Sequence, residues 1–453
     1  MKNLIITASV LTLSLLAVPV SAKVSTEEAD KLGTTLTPLG AEKAGNAAGT
    51  IPEWTGGLNS TNTAKSADSG RPDNPFPDDK PSFVITASNM EQYKDNLSPG
   101  QMAMFKKYPD YKMPVYQTRR TAAYSQDLYN IVKKNATNAE LIEGGLGLKN
   151  FDTTIPFPIP ANATEVIWNH ITRFRGGTGR RYITAIPVQA DGSYVPIKMN
   201  ERLAWPEFLS SGRDAEKDDN VLFYYLQIIT APARLTGTAL LVHETIDQVK
   251  EPRRAWIYNS GQRRVRRAPN VAYDGPAVGT DGLRTADNFD MYNGAPDRYN
   301  WELKGKQELY IPYNSYNLMD TNAKYEDIVK AGHLNSDFLR YELHRVWVVE
   351  ATLKGDARHI YNKRTMYIDE DTWNAAVIDH YDGRGELWKM AEAHLIQFHD
   401  INTPWMVAES LHDLNSGRYL VTGLSNEEPK FLVWGVESTR KDFSTSALRR
   451  IGR

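Results

Sequence analysis

The histidines are the residues of this sequence best suited to acid–base or metal chemistry, and their spacing does not group them. His394 and His399 are five residues apart in a predicted strand, where side chains alternate between faces, so they point to opposite sides. His243 is followed by a glutamate but lacks the second histidine of a helical zinc motif. Asp369 and Asp371 fall in a predicted turn, where capping and hydration account for paired carboxylates. We therefore predict no catalytic residue, no bound metal and no cofactor.

The composition excludes several further kinds of chemistry and partner. Cysteine is absent, which excludes disulfides, thiolate catalysis and cysteine-ligated metals. The 53 basic and 55 acidic residues nearly balance, so no global field favours nucleic acid. Hydrophobic residues make up 41% of the 453 residues, which is enough for a large core without disulfides.

An arginine-rich stretch at 253–267 has the chemistry to bind an anionic head group. Guanidinium groups bind phosphate or carboxylate through paired hydrogen bonds. Strand alternation places Arg263 and Arg267 on one face and Arg264 and Arg266 on the other. We predict Arg263 and Arg267 as the head-group residues. The alternative is solvated charge with cross-strand partners.

Several predicted strands carry large apolar side chains on one face. Burying an acyl chain contributes about 0.8 kcal/mol per methylene, so a lipid site needs a broad apolar wall. Alternating positions supply one, and the alternative is that they pack against helices as ordinary core. The predicted wall residues are Trp256, Tyr258, Trp347, Val349, Met366, Ile368, Ile396 and Phe398.

A large sheet is the framework that the pattern predicts for these residues. From about 155 to 440, runs rich in β-branched and aromatic residues alternate with turn signals, and one such run covers 166–174. The segments RAWIYN at 254–259 and QRRVRR at 262–267 flank a turn and predict a hairpin. Short connections favour antiparallel pairing, because parallel strands need long crossovers. We predict a β-rich α+β fold, a large curved antiparallel sheet with a few covering helices.

The chain before the sheet divides into three parts. An uncharged apolar run at 4–18 followed by Val20-Ser21-Ala22 predicts a cleaved signal peptide over 1–22, with an uncleaved anchor as the alternative. Residues 23–80 form an irregular Pro- and Gly-rich leader that either lies across the folded body or is disordered. Residues 88–145 carry a helical pattern, with Ser88 as an N-cap and a second helix over 125–132. We expect an exported, periplasmic protein whose mature chain has no transmembrane segment.

The same segments resemble a known superfamily. The hairpin at 254–267, YIDEDTW at 367–373 and DHYDGRGELW at 379–388 resemble the LolA/LolB-like proteins that sort lipoproteins to the outer membrane. The opening segments LTPLGAEKAGN at 36–46 and IPEWTGG at 51–57 are similar to the start of a proteobacterial exported family of unknown function in that superfamily. The resemblance runs from about residue 30 to the end of the chain.

This resemblance implies one LolA-like domain over 81–453, a half-open β-barrel whose concave side receives acyl chains. It implies a non-catalytic carrier or binding protein for a lipid or another hydrophobic molecule, located at or near the outer membrane. The first alternative is an accessory subunit that docks onto an outer-membrane protein or an RND-type exporter, with the leader as its tether. The second is an envelope lipid hydrolase. The chain is about twice the size of the sorting proteins, which have no counterpart of its leader.

Overall fold

The computed structural model describes residues 24–61, 69–248, 250–268 and 273–452. The predicted signal peptide lies outside these ranges. Within them, no helix is both long and apolar enough to cross a membrane.

Strands dominate the described part of the chain. They are β1 (Phe83–Ile85), β2 (Met113–Val115), β3 (Glu140–Leu141), β4 (Leu148–Lys149), β5 (Thr178–Val188), β6 (Ile197–Ala204), β7 (Val221–Ala231), β8 (Ala239–Thr245), β9 (Arg254–Asn259), β10 (Arg264–Arg267), β11 (Tyr299–Pro312), β12 (Tyr341–Leu353), β13 (Lys363–Asp369), β14 (Ala375–Tyr381), β15 (Leu387–Phe398), β16 (Thr403–Asp413), β17 (Tyr419–Leu424) and β18 (Leu432–Trp434).

Sixteen of these strands form one sheet in the order β1-β2-β12-β13-β14-β15-β16-β17-β5-β6-β7-β8-β9-β10, with β11 beside β12 and β18 beside β5. Its pairings are antiparallel except for one parallel contact between β2 and β12. Register shifts interrupt β6–β7, β13–β14 and β15–β16, and such bulges bend and twist a sheet. The two ends of the strand order do not pair in the described residues, so the sheet stays open. The predicted β-rich fold, a large open sheet with few helices, is confirmed.

Helices are short. The α-helices are α1 (Thr26–Ala29), α2 (Pro99–Lys107), α3 (Gln126–Asn138), α4 (Ala163–Thr172), α5 (Tyr325–Ile328) and α6 (Thr445–Ile451). The 3₁₀ helices cover Met90–Asn96, Glu143–Gly145, Pro206–Phe208, Ala286–Asn288, Pro296–Arg298, Tyr316–Met319, Ser336–Phe338 and Arg440–Phe443.

Helix α4 stands where the sequence predicted a strand at 166–174, so that prediction is wrong. The Asn162 side chain caps the helix by accepting a hydrogen bond from the backbone N–H of Glu165 at 3.0 Å. Every residue from 165 to 172 is buried. A helix buried on all sides lacks the polar face that gives an amphipathic helix its 3.6-residue period. Its apolar run is therefore just as typical of a strand.

The structure confirms one of the two helices predicted over 88–145 and moves the start of the other. The helix predicted over 125–132 is α3, and the Ser125 side chain caps it. The helix predicted from Ser88 instead begins as a 3₁₀ helix without a side-chain cap, and α2 starts at Pro99 behind a capping box of Ser98 and Gln101.

The described part of the leader lies against the folded body. Leu39 and Ile51 are buried in the main hydrophobic core. The Trp54 indole N–H donates to the Ala122 carbonyl at 2.9 Å, and Arg71 Nη2 donates to the Ser425 carbonyl at 2.6 Å. The leader therefore contributes core residues as well as surface.

Other parts of the chain pack on both faces of the sheet. We call inner the face that carries Tyr225 of β7 and Arg364 of β13, and outer the opposite face. The inner face is covered by α4 and by the inner segment, which we define as residues 273–298. On the outer face, a second apolar cluster joins Phe443 and Leu448 near the C-terminus to β7–β9.

Candidate ligand site on the inner face of the sheet

Four predicted wall residues share the inner face. Cross-strand register places Trp347 opposite Ile368 and Val349 opposite Met366. The same register places Ala351 opposite Arg364, whose guanidinium binds Asp287 of the inner segment. Val349, Met366 and Ile368 are completely buried, so in this conformation they are core beneath the covering layer.

Ile396 and Phe398 occupy the end of β15, next to a register shift. Ile396 is paired with Trp405, whose indole nitrogen lies 3.3 Å from Asp290 Oδ1 of the inner segment. Phe398 packs against Trp434, with 5.5 Å between ring centroids.

Trp256 and Tyr258 do not belong to this wall, and the prediction that all eight residues share it is wrong for these two. Strand alternation places Ala255 and Ile257 with the main core, and puts Trp256 and Tyr258 in the outer cluster with Leu448. The sequence shows that the two rings share a face. It does not show which face of β9 this is. In the structure α6 packs on that face, which makes it the outer one.

The predicted head-group arginines lie outside the inner cavities. Arg263 sits in the turn between β9 and β10 with φ 52°, where strand alternation does not apply. Arg267 pairs with Trp256, so its position is on the outer face. Both side chains are exposed.

A cavity of about 50 Å³ separates strands β7 and β8 from the inner segment. Its wall is mainly apolar and aromatic, with one carboxylate and two guanidinium groups at its border. The lining residues are Phe223, Tyr225, Gln227, Leu240, Val242, Glu244, Arg253, Ala277, Val278, Arg284, Ala286, Phe289 and Asn293.

Arg284 of the inner segment lines this cavity and two smaller ones of about 20 and 10 Å³. Its Nη1 donates to Glu409 Oε2 of β16 at 2.9 Å, while its buried Nε has no hydrogen-bond partner among the described residues. Burial raises the pKa of Glu409, and the cation of Arg284 opposes that rise. Arg284 therefore brings a partly unsatisfied donor to the border of all three cavities.

Polar contacts hold the inner segment against the connection between α4 and β5 and against the sheet. Asp290 Oδ1 accepts from Arg173 Nη2 at 2.7 Å, and Oδ2 accepts from Arg175. Burial alone raises the pKa of Asp290, but the two guanidinium groups outweigh it and hold the pKa well below its usual value. Asn293 adds a neutral contact, because its Nδ2 donates to Glu244 Oε2 of β8 at 2.8 Å.

The sequence reasoning missed the residues that enclose the cavity. Alternation along β7 places Phe223, Tyr225 and Gln227 on one face, and this signal was available. The inner segment had no signal of its own, because it contains only two short 3₁₀ helices and shows no period.

Residues 84–449 match the model of a protein family of unknown function, DUF1329. The chain belongs to the DUF1329 family. An uncharacterized protein of Pseudomonas aeruginosa is 58% identical over 451 residues, which cover 99% of each chain. The family of unknown function predicted from the sequence is thus confirmed.

Several solved structures are similar to parts of this DUF1329 chain at low sequence identity. A DUF1329 family protein from Desulfovibrio piger is 16% identical with a TM-score of 0.42, covering 60% of this chain and 92% of its own. An outer membrane lipoprotein-sorting protein domain from Vibrio parahaemolyticus is also 16% identical with a TM-score of 0.42, covering 61% and 94%. A LolA superfamily protein from Nitrosomonas europaea is 12% identical with a TM-score of 0.39, covering 64% and 100%.

Proposed function

We propose that this DUF1329 protein is a non-catalytic carrier or binding protein for a hydrophobic ligand, which it holds on the inner face beneath the inner segment. The observation that carries this proposal is the cavity between the sheet and the inner segment, walled by Phe223, Leu240, Val242 and Phe289. Apolar walls with a few converging polar groups are typical of small-molecule sites. The predicted signal peptide supports a periplasmic location.

The size of the cavity sets a condition on the ligand. At about 50 Å³ it is smaller than the roughly 150 Å³ cavity that accommodates benzene in a protein core. An acyl chain therefore enters only when the inner segment moves away from β7 and β8. Ten buried methylenes contribute about 8 kcal/mol, and this gain offsets part of the cost of the contacts that the segment gives up when it moves.

Two buried histidines are poorly suited to act as a general acid or base. Burial lowers the pKa of His170 and of His394 to about 3, so both rings are neutral near pH 7. A general acid or base works best when its pKa lies near the operating pH. Asp290 likewise stays an anion, because Arg173 and Arg175 surround it.

The accessory-subunit alternative assigns the leader as a tether. Contacts of residues 24–61 with the body favour the carrier instead. Arg120 Nη2 donates to the Glu42 carbonyl at 2.7 Å, and Arg345 Nη2 donates to the Ala44 carbonyl at 2.7 Å. A leader held in this way has its backbone engaged by its own domain.

The experiment is binding of a fluorescent fatty acid to the mature chain, purified without detergent. Val242→Phe fills the cavity from β8, and we expect it to weaken binding at least tenfold. The matched control is Val265→Phe, which adds the same group to the outer cluster on β10. Equal affinity of both variants and the parent, or no binding by the parent, contradicts the proposal.

A further inference from the structure

A buried cluster of acceptors lies where β12 meets the turn between β13 and β14. His344 comes from β12, Asp369 ends β13 and Asp371 lies in the turn. Their exposed fractions are 1%, 1% and 3%. From the sequence we predicted that Asp369 and Asp371 cap a turn and are hydrated. Their burial contradicts the hydration. We also predicted no metal site.

Donor atoms of the three residues converge. His344 Nδ1 is 4.0 Å from Asp369 Oδ1 and 3.9 Å from Asp371 Oδ2. The three ligand atoms all lie within 4.8 Å of one another. These separations are too long for direct hydrogen bonds.

The surroundings fix which atoms face the gap. His344 Nε2 lies 3.2 Å from Glu342 Oε2, and Arg340 Nε donates to Glu342 Oε1 at 2.6 Å. Burial raises the pKa of Glu342, but His344 and Arg340 outweigh it and lower the pKa, so Glu342 is an anion. A carboxylate accepts the imidazole N–H, which places that hydrogen on Nε2 and leaves the Nδ1 lone pair toward Asp369 and Asp371. An orienting carboxylate of this kind is usual behind a metal-bound histidine.

The carboxylates are oriented as well. Asp369 Oδ2 accepts from the Thr372 hydroxyl at 2.6 Å. Arg120 holds Asp371 through two hydrogen bonds, Nε to Oδ2 at 2.9 Å and Nη2 to Oδ1 at 2.7 Å. His344 Nδ1, Asp369 Oδ1 and Asp371 Oδ2 are thus all acceptors, and none of them can donate a hydrogen bond to another.

Two buried oxygens at this place have no hydrogen-bond partner among the described residues. They are Asp369 Oδ1 and the hydroxyl of Tyr313. The Tyr313 ring stacks on the His344 ring with 3.9 Å between centroids. Leaving a buried polar group unsatisfied costs about 1–3 kcal/mol, and more for a charged one. The unpaired Asp369 oxygen, which faces His344 Nδ1 and the Asp371 carboxylate, calls for a cation.

We propose that His344 Nδ1, Asp369 Oδ1 and Asp371 Oδ2 bind a divalent metal ion that accepts nitrogen and oxygen ligands, Zn²⁺ or Mn²⁺, with the Tyr313 hydroxyl or water beside it. One imidazole with two carboxylates suits these ions. Zn–N and Zn–O bonds are about 2.0–2.2 Å long, so the three donors close by a few tenths of an ångström around the ion.

The role of this ion is structural, and the proposal is independent of the carrier function. Arg120 binds Asp371 and also donates to the carbonyls of Glu42 and Lys43 in the leader. The ion therefore ties β12 and the β13–β14 turn to the anchor of the leader. Arg120 already neutralises part of the charge of Asp371, which limits the affinity.

A proton is the competing occupant, because burial and the charge of Asp371 raise the pKa of Asp369. To separate the two, the full mature chain is stripped with EDTA, incubated with ZnCl₂ or MnCl₂, desalted and analysed for metal by mass spectrometry. We expect one equivalent of one of these metals and a higher Tm than the stripped protein. Asp369→Asn and His344→Ala are expected to lower metal content at least tenfold, while His243→Ala on the outer face retains it.

Three results overturn the proposal. One is a parent protein that holds no metal after both incubations. Another is metal bound equally by the parent and by Asp369→Asn, which indicates adventitious surface binding. The third is an unchanged Tm on metal removal. Asp369→Asn preserves side-chain size, so its metal content is informative even if His344→Ala fails to fold.

Discussion

Arg364 of β13 and Asp287 of the inner segment form an ion pair that is buried on both sides, with 2.6 Å between Nη2 and Oδ2. His359 Nε2 lies 3.0 Å from the same carboxylate oxygen. Burial raises the pKa of Asp287, but the Arg364 cation and His359 together lower it well below its usual value. The pair links the sheet to the segment that any ligand on the inner face must displace. Its strength therefore bears on both stability and uptake.

Removing the carboxylate of this pair destabilises the protein. Asp287→Ala leaves Arg364 buried without its partner, so we expect the free energy of unfolding in urea to fall by about 3–5 kcal/mol. Asp281→Ala is the matched control in the same segment, because Asp281 is exposed and its partner Arg418 is partly exposed. An exposed pair contributes about 0–1 kcal/mol. Similar losses for both variants would show that the buried pair does not anchor the segment.

The pH dependence of stability is set in part by Glu392 of β15. Burial raises the pKa of Glu392 to about 7, although Gln101 and Tyr341 donate hydrogen bonds to it and oppose the rise. A carboxyl group with a raised pKa binds more protons in the folded state than in the unfolded state. Its stabilising effect is complete below the unfolded pKa and is lost as the pH rises from about 4.5 to about 7.

We expect Glu392→Gln to reduce the loss of unfolding free energy between pH 5 and pH 8 by up to about 3 kcal/mol, at 1.36 kcal/mol per pKa unit. Urea unfolding at the two pH values measures it. The control is Glu386→Gln, an exposed position next to the same strand. If Glu392→Gln keeps the full pH dependence of the parent, Glu392 is not a source of it.

Arg284 is expected to recognise the charged end of an amphiphilic ligand. It lines the three inner cavities, whereas Arg263 and Arg267 lie outside them. A hydrogen bond to a charged group contributes about 1.5–3 kcal/mol, so Arg284→Ala should weaken binding of a fatty acid by at least tenfold. Binding of the corresponding fatty alcohol should change little. The double variant Arg263→Ala, Arg267→Ala tests the β9–β10 hairpin as the alternative site. If only this double variant loses affinity for the fatty acid, the charged end binds at the hairpin and not at Arg284.

Movement of the inner segment is open to direct measurement, because the chain has no native cysteine. Spin labels at Asp281→Cys on the inner segment and Arg384→Cys in the β14–β15 turn report the distance between segment and sheet. Both positions are exposed. We expect the distance distribution to shift or broaden when oleate is added to saturation. An unchanged distribution with oleate bound would place the ligand elsewhere.

The sequence predicts those elements whose signals are local. The β9–β10 hairpin, the helix over 125–132 and the sharing of strand faces follow from turn residues and from the spacing of apolar side chains. Helix α4 does not, because complete burial removes the polar face that distinguishes a helix from a strand. Alternation also leaves open which face of β9 is inner, so Trp256 and Tyr258 were placed in the wrong wall.

The candidate site depends on contacts between residues that are far apart in the sequence. Asp287 and Arg364 are 77 residues apart, and Arg284 and Glu409 are 125 apart. The inner segment takes its conformation from these pairs and from the sheet beneath it. No periodicity within 273–298 reports them, which is why the sequence predicts a concave apolar sheet but not the segment that fills it.

The most direct test of the carrier is native mass spectrometry of the protein purified from periplasm without detergent. We predict a species with a bound apolar compound, and the loss of that species in Val242→Phe but not in Val265→Phe. A protein that carries no compound and takes up no fluorescent fatty acid would contradict the account.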